Sequence, residues 1–305
     1  MKDRDLYIEL ENKLNSYQNN KSHILDGLED SERKDVFIKQ MIDSIKRIKY
    51  IRTICKRDIS DRRIDPSDGI FDPIRAAIWF KRNGNIDEAF WLIFLFSHFG
   101  KNQKTKWNLL KAIYGHLGYG NNWTWNAIID DTNSFIDWLD FNQSSLKSMG
   151  SFSNHRKYQS LSATSYSGTG ATILSYIHII GPSHRTFIDN IDEDIKKDPN
   201  ELFEYLFKKF NGIMGFGRLA IFDYLTMIGK ICIIDIKPGY PYLKKATGPL
   251  SGTKLLYGIN ASPNELDELL IDLGNYLDLD FGMQVLEDCI CNWQKTPSSY
   301  KYFGG

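Results

Sequence analysis

Apolar positions in this chain recur mostly at steps of three and four residues. Within the first sixty residues, Ile38, Ile42, Ile45 and Ile48 mark one face of an amphipathic helix in a highly charged background. This predicts an N-terminal helical subdomain over 1–60 and a helical domain over 61–305. RDISDRRIDPSDGIFDP (57–73), rich in Asp, Pro and Gly, marks the boundary between them. Asp72-Pro73, Asp198-Pro199 and Ser262-Pro263 each set a capping side chain before a proline at the first helical position, and Glu265 adds capping-box spacing to Ser262. These signals predict helices over 73–82, 199–211 and 263–276. Periodicity alone predicts others near 86–99, 105–117, 134–147, 170–180, 217–229 and 282–294. KICIIDI (230–236) is the one strand-like run and stands isolated, and GPLSGTKLLYG (248–258) reads as a loop. The fold class is mainly α.

Composition narrows the setting. With 42% hydrophobic and 25% charged residues the chain can bury a sizeable core, and 38 basic residues balance 38 acidic ones. Any nucleic-acid surface must therefore arise from local clustering. Cys55, Cys232, Cys289 and Cys291 show neither paired CxxC spacing nor the density of a secreted scaffold, so a reducing cytoplasm is expected. MKDRDLYIELENK lacks an apolar signal core, and AFWLIFLFSHFG (89–100) is shorter than the roughly 20 residues that span a bilayer. It reads as a buried helix, and no membrane partner is expected. There is no HExxH, CxxC pair or Walker loop, and His178 and His184 lack ligand spacing, so neither a metal nor an organic cofactor is expected.

GFGRLAIFDYLTMIG (215–229) carries the sharpest chemistry. Gly215 and Gly217 permit positive φ and close backbone approach between two helices, while the amides opening the second helix, with Arg218, suit a phosphate. A plain helix–helix turn has the same spacing. SFSNHRKYQS (151–160) brings Asn154, His155, Arg156, Lys157 and Tyr158 together, which combines a proton shuttle, two phosphate donors, an amide and a stacking ring. An ordinary solvated basic loop also has this composition. Asp223 lies among Leu219, Phe222, Leu225 and Thr226, where a carboxylate needs a cation or donors beside it. It would either stabilise a positive sugar or pair structurally with an arginine. Asp235 is the other candidate carboxylate, at a better distance from the hairpin.

Several further residues have two readings each. His98 and Lys101 close helix 86–99, as dipole partners or substrate contacts. Glu88, Glu287, Asp288 and Asn292 are candidate pocket polar groups or structural ones. Trp123, Trp125 and Trp293 would stack a flipped base or fill the core. SYSGTGATI (165–173) is a second glycine-rich approach to a helix, for phosphate contact or for capping by Ser167 or Thr169.

GFGRLAIFDYLTMIG followed by CIIDIKPGYPYL resembles the helix-hairpin-helix signature of DNA base-excision glycosylases, whose hairpin glycines hold a phosphate. The family's aspartate position is occupied here by Pro238, Gly239 and Tyr240, with Asp235 the nearest carboxylate. A longer resemblance covers about residues 73 to 297. AFWLIFLFSHFGK, NNWTW, FSNHRKYQSL, SGTGATILSY, FGRLAIFDYLTMIGK, YLKKATGPLSG and VLEDCICNWQK are similar, in order, to blocks of the α-glutamyl/putrescinyl thymine pyrophosphorylase group, clade 3. That group is associated with hypermodified DNA bases. The resemblances imply a helix-hairpin-helix DNA glycosylase-like helical architecture with an added N-terminal helical segment. They also imply modified double-stranded phage DNA as partner, and either excision of a modified pyrimidine, group transfer at an activated one, or binding alone.

Overall fold

The computed structural model describes residues 3–20 and 24–303 of the 305-residue chain. The described residues form sixteen α-helices and no β-strand, a mainly α fold as the periodicity predicts. In chain order they are α1 (Asp3–Asn20), α2 (Ser31–Ile54), α3 (Pro73–Arg82), α4 (Ile86–Phe99), α5 (Asn108–Tyr114), α6 (Trp125–Asp130), α7 (Thr132–Phe141) and α8 (Gln143–Met149). There follow α9 (Thr169–Ile180), α10 (His184–Asp189), α11 (Glu193–Lys196), α12 (Pro199–Phe210), α13 (Arg218–Lys230), α14 (Thr247–Tyr257), α15 (Pro263–Leu277) and α16 (Gly282–Trp293). Two compact units result, residues 1–53 with 237–305, and residues 54–236. Residues 237–305 thus join the N-terminal helices rather than the middle of the chain.

In the first unit, Leu6, Leu10, Leu14 and Tyr17 of α1 share one core with Phe37, Met41 and Ile45 of α2 and with Leu266, Leu270 and Leu273 of α15. Each set repeats at three or four residues, which puts it on one helix face. Two polar handles finish this core: Tyr17 donates to Asp272 at 2.9 Å and the Trp293 indole to the Arg33 carbonyl at 3.0 Å. The segment 248–258, expected as a loop, is instead helix α14. Its glycines are contact points: a Cβ on Gly252 would strike Ile290, and one on Gly248 would lie 2.9 Å from the Cys291 sulfur. What looks like loop punctuation lets two helices touch.

In the second unit α4 is buried on every side from Ala89 to Leu95, because α3, α5, α6, α10 and α13 pack around it. A helix apolar all round needs such a coat. The local start signals act as their spacing implies. Asp72 accepts from the Arg75 amide, Asp198 from the Asn200 amide, and in the first unit Ser262 and Glu265 form a reciprocal capping box.

Three further expectations change. The helix over 105–117 shrinks to α5, since backbone bonds between Asn102 and Lys106 hold a turn in front of it. The helix over 134–147 breaks at Asn142, whose side-chain amide donates back to the Trp138 carbonyl, giving α7 and α8. KICIIDI forms no strand: Lys230 ends α13, and the Cys232 and Ile233 amides return to the Gly229 and Ile228 carbonyls. Among the described residues no helix is long and apolar enough to cross a membrane.

Candidate nucleic-acid interface

The turn between α12 and α13 needs only one of its paired glycines. Gly215 has φ +67, and a Cβ there would sit 2.7 Å from the Ser167 carbonyl oxygen and 2.8 Å from Thr172 Oγ1. Gly217 has φ −73, is exposed, and has nothing within 4 Å of the Cβ position. Gly215→Ala is therefore expected to cost about 2 kcal/mol, from left-handed strain plus overpacking. Gly217→Ala, a helix-capping change without a clash, is expected to cost less than about 1 kcal/mol. Urea unfolding of the two variants checks this, and equal losses would refute the division. Met214 and Gly217 are exposed, so the bend lies at the surface, and the Arg218 guanidinium sits 4.9 Å from the Phe222 ring centre.

The basic loop 151–160 docks onto this bend. Gln159 Nε2 donates to the Gly215 carbonyl at 2.6 Å, and the Met214 amide donates to Ser175 Oγ of α9 at 2.9 Å. The loop is anchored at the end of α4, where Gly100, with φ +64, leaves room for the Ser153 side chain. There the Ser153 amide donates to the Phe99 carbonyl at 2.9 Å, and Asn102 Nδ2 to the Phe152 carbonyl at 2.9 Å.

Arg156 and Asp223, separate candidates in the sequence, form one ion pair. Arg156 Nη2 donates to Asp223 Oδ2 at 2.7 Å, Nε to the Ser97 carbonyl at 2.7 Å and Nη1 to the His155 carbonyl at 3.3 Å. Its side chain is 6% exposed and that of Asp223 38%, so the pair runs from the interior to the surface. Asn154, His155, Lys157 and Tyr158 face outward, with the Lys157 ammonium 4.9 Å from the Tyr158 ring centre. Tyr158 is 90% exposed, and Tyr166, one residue before Ser167, is 81% exposed. Two open tyrosine rings, one of them beside a lysine, are the ingredients of a surface that binds backbone phosphate and stacks bases.

His98 lies beneath this surface. It is fully buried, with its ring parallel to Phe94 and edge-on to Phe99 and Phe152. The Thr169 hydroxyl donates to the Ser160 carbonyl at 2.9 Å, so it accepts from His98 Nε2 at 3.0 Å. Burial, with the Arg156 charge adding to it, pushes the His98 pKa down to about 3, so the ring is neutral. His98 Nδ1, Ser97 Oγ and Gln159 Oε1 are buried without partners. Lys101 is exposed, its ammonium 5.5 Å from the Trp107 ring centre.

The second glycine-rich approach is closed. Gly168 stands at the N-cap of α9 with no side-chain cap, so neither Ser167 nor Thr169 caps the helix. The amides of Gly168, Thr169 and Gly170 donate instead to the Ser165, Ser160 and Ser162 carbonyls at 3.0, 2.8 and 3.1 Å. Asp235 is exposed beyond α13, and no hydrogen bond or ion pair among the described residues ties it to the bend or the loop. Trp125 and Trp293 are core residues, Trp125 donating to the Pro182 carbonyl at 3.0 Å, and Trp123 is half-buried. In the first unit, Glu287 is buried and Asp288 accepts from Ser44 Oγ at 2.8 Å and from Arg47 at 3.4 Å.

A buried polar chain behind the interface escaped the sequence reading. His184 Nδ1 donates to Asp87 at 3.0 Å, Tyr176 donates to His184 Nε2 at 2.6 Å, and the Tyr224 hydroxyl donates to Tyr176 at 2.7 Å. It links α4, α9, α10 and α13. Burial raises the Asp87 carboxyl pKa, but hydrogen bonds from His184 and Ser183 outweigh it and leave the pKa below the usual value. Burial lowers His184 more strongly than Asp87 raises it, and both tyrosines are pushed up. Beside the chain, buried Glu88 accepts from Tyr114 at 2.6 Å and the Trp125 amide at 2.8 Å, while desolvation holds its pKa up at about 7. Tyr176→Phe would orphan both His184 Nε2 and the Tyr224 hydroxyl, an expected loss of about 2 kcal/mol. An unchanged urea midpoint would contradict that.

Among the described residues no group of three His, Cys, Asp or Glu is placed to hold a metal ion. No curated protein and no solved structure is significantly similar to the chain. The family model described as alpha-glutamyl/putrescinyl thymine pyrophosphorylase clade 3 matches residues 32–305, and with that coverage the chain belongs to this family.

Proposed function

We propose that the chain is a DNA glycosylase-like enzyme. It flips a modified pyrimidine from double-stranded DNA, phage DNA above all, and cleaves the N-glycosidic bond to leave an abasic site. One observation carries the reading: the bend at Gly215–Arg218, which reaches the surface at Gly217, the basic aromatic loop and the Asp223 carboxylate come together through Gln159 and Arg156. In this reading Gly215, Gly217 and Arg218 hold the phosphate backbone, with Lys157, Lys101 and Asn154 adding contacts and Tyr158 stacking on a base. The unpartnered His98 Nδ1, Ser97 Oγ and Gln159 Oε1 supply acceptors to the edge of the flipped base once the loop yields. Flipping costs a few kcal/mol, offset by such contacts. Asp223, aimed by Arg156 and still partly exposed, stabilises positive charge on the sugar while water attacks the anomeric carbon. Asp235 is the second carboxylate, and exposed His155 carries the proton to the leaving base. The enzyme acts in the cytoplasm without a cofactor.

The family description favours a second reading, displacement of pyrophosphate from an activated hydroxymethyl pyrimidine by an amino acid or polyamine. Arg156 is already occupied by Asp223 and Ser97, which leaves Lys157 and Lys101 to meet a leaving pyrophosphate. Mass spectrometry after incubation with hydroxymethylated, glucosylated and unmodified DNA separates the readings. Free base with alkali-labile sites supports excision, and a heavier nucleoside supports transfer. DNA retention with neither product leaves a binding module. Asp223→Asn and Asp235→Asn assayed together assign the carboxylate, and full activity in both removes that role.

A further inference from the structure

We infer that Cys55 and Cys232 form a reversible dithiol–disulfide pair. Their sulfurs converge on one atom: each thiol lies 3.9 Å from the Lys230 carbonyl oxygen. Neither cysteine is locked in a helix, since Cys55 follows the end of α2 and Cys232 the end of α13, both in turns. With each sulfur 3.9 Å from the same oxygen, the two lie within about 8 Å of each other, and any movement needed to join them falls on these two turns. Cys232 also has φ +57, a left-handed conformation that most side chains disfavour and that glycine or asparagine would adopt more cheaply. A thiol kept at an exposed, strained position points to chemistry rather than packing. By contrast, Cys289 is wholly buried in the first unit's core, and burial pushes its thiol pKa up.

Cations surround the pair. The Arg82 guanidinium donates to the carbonyls of Cys55 at 2.6 Å and Arg57 at 2.8 Å, and the Lys81 ammonium donates to the Ile231 carbonyl at 3.2 Å. This positive surround draws an anionic small-molecule disulfide such as oxidised glutathione. The exposed Cys232 thiolate attacks that disulfide and releases one small thiolate. The Cys55 thiolate then attacks the mixed disulfide at the Cys232 sulfur and releases the second. Two protein thiols and one external disulfide become one internal disulfide and two external thiols, with the two protons carried off on the released thiols. The bridge would tie the turn after α2, at the start of the second unit, to the turn that follows α13. It also pins the end of α13 opposite Gly217.

The test uses the full, reduced chain incubated with oxidised glutathione, followed by intact mass and peptide mapping. The expected product has lost two hydrogens and yields a Cys55–Cys232 cross-linked peptide, reversed by dithiothreitol. Cys55→Ser should instead accumulate one glutathionyl group on Cys232, while Cys289→Ser and Cys291→Ser should form the bridge as the unaltered chain does. A stable glutathionyl adduct on the unaltered chain with no cross-linked peptide would overturn the inference. So would cross-links through Cys291, or no reaction at all.

Discussion

Arg156→Met is expected to lower stability by about 3 kcal/mol and to abolish processing of modified DNA. The guanidinium is almost wholly buried and serves acceptors on α4, on its own loop and on α13. Methionine keeps the apolar stem but removes three donors, leaving the Ser97 carbonyl and the Asp223 carboxylate without their bonds. Breaking a buried pair from one side costs about 3–5 kcal/mol, and the 38% exposure of Asp223 argues for the lower end because water screens the survivor. Arg156→Lys keeps the charge and loses the fork, so it should recover only part of the loss. Asp223→Asn should cost about 1 kcal/mol, and the double variant should show about 1–2 kcal/mol of coupling. Urea midpoints of the four proteins measure this. If Arg156→Met unfolds where the unaltered protein does, the pair does not hold the loop to the bend.

The second large effect is a loss of stability in acid carried by His98. Its folded pKa, near 3, lies below the unfolded value of about 6.5, so the unfolded chain binds the extra proton between those values. Stability therefore falls as pH drops through that window, and by pH 4 this single ring accounts for about 3 kcal/mol. His184, also lowered, acts in the same direction. Glu88 acts oppositely: with a folded pKa of about 7 against 4.5, it makes stability fall as pH rises from 4.5 to 7. Between pH 4.5 and 6.5 the Glu88 and His98 contributions largely cancel, so the His98 contribution is read from the difference between the unaltered chain and a His98 variant. His98→Phe removes the titrating group and should lose much less stability between pH 6 and pH 4 than the unaltered chain does. Equal acid losses in both proteins would show that His98 is not buried as a neutral ring.

Legibility followed distance along the chain. The caps at Asp72, Asp198 and Ser262 were readable because each side chain bonds an amide two or three residues on. Helix α4 was readable as buried because an unbroken apolar stretch of that length has nowhere else to go. The short helices α6, α10 and α11 were not read, because one or two turns give too few positions for a period to register. Glycine misled at 248–258, where it marks close helix contact instead of a turn.

For the candidate site, sequence named both Arg156 and Asp223 but had no means of pairing residues 67 positions apart. It likewise weighed His184 only as a metal ligand and could not connect it to Asp87, 97 positions earlier. The chain by itself determined its helical class, the starts of its capped helices and the residue types able to meet DNA, since these rest on periodicity and on contacts within one turn. Only the tertiary structure decided that His98 is a neutral core ring, that one glycine of two is obligatory, and that a basic loop rests on the bend. Those outcomes depend on desolvation and on which helices lie against one another, and neither is encoded at any single position.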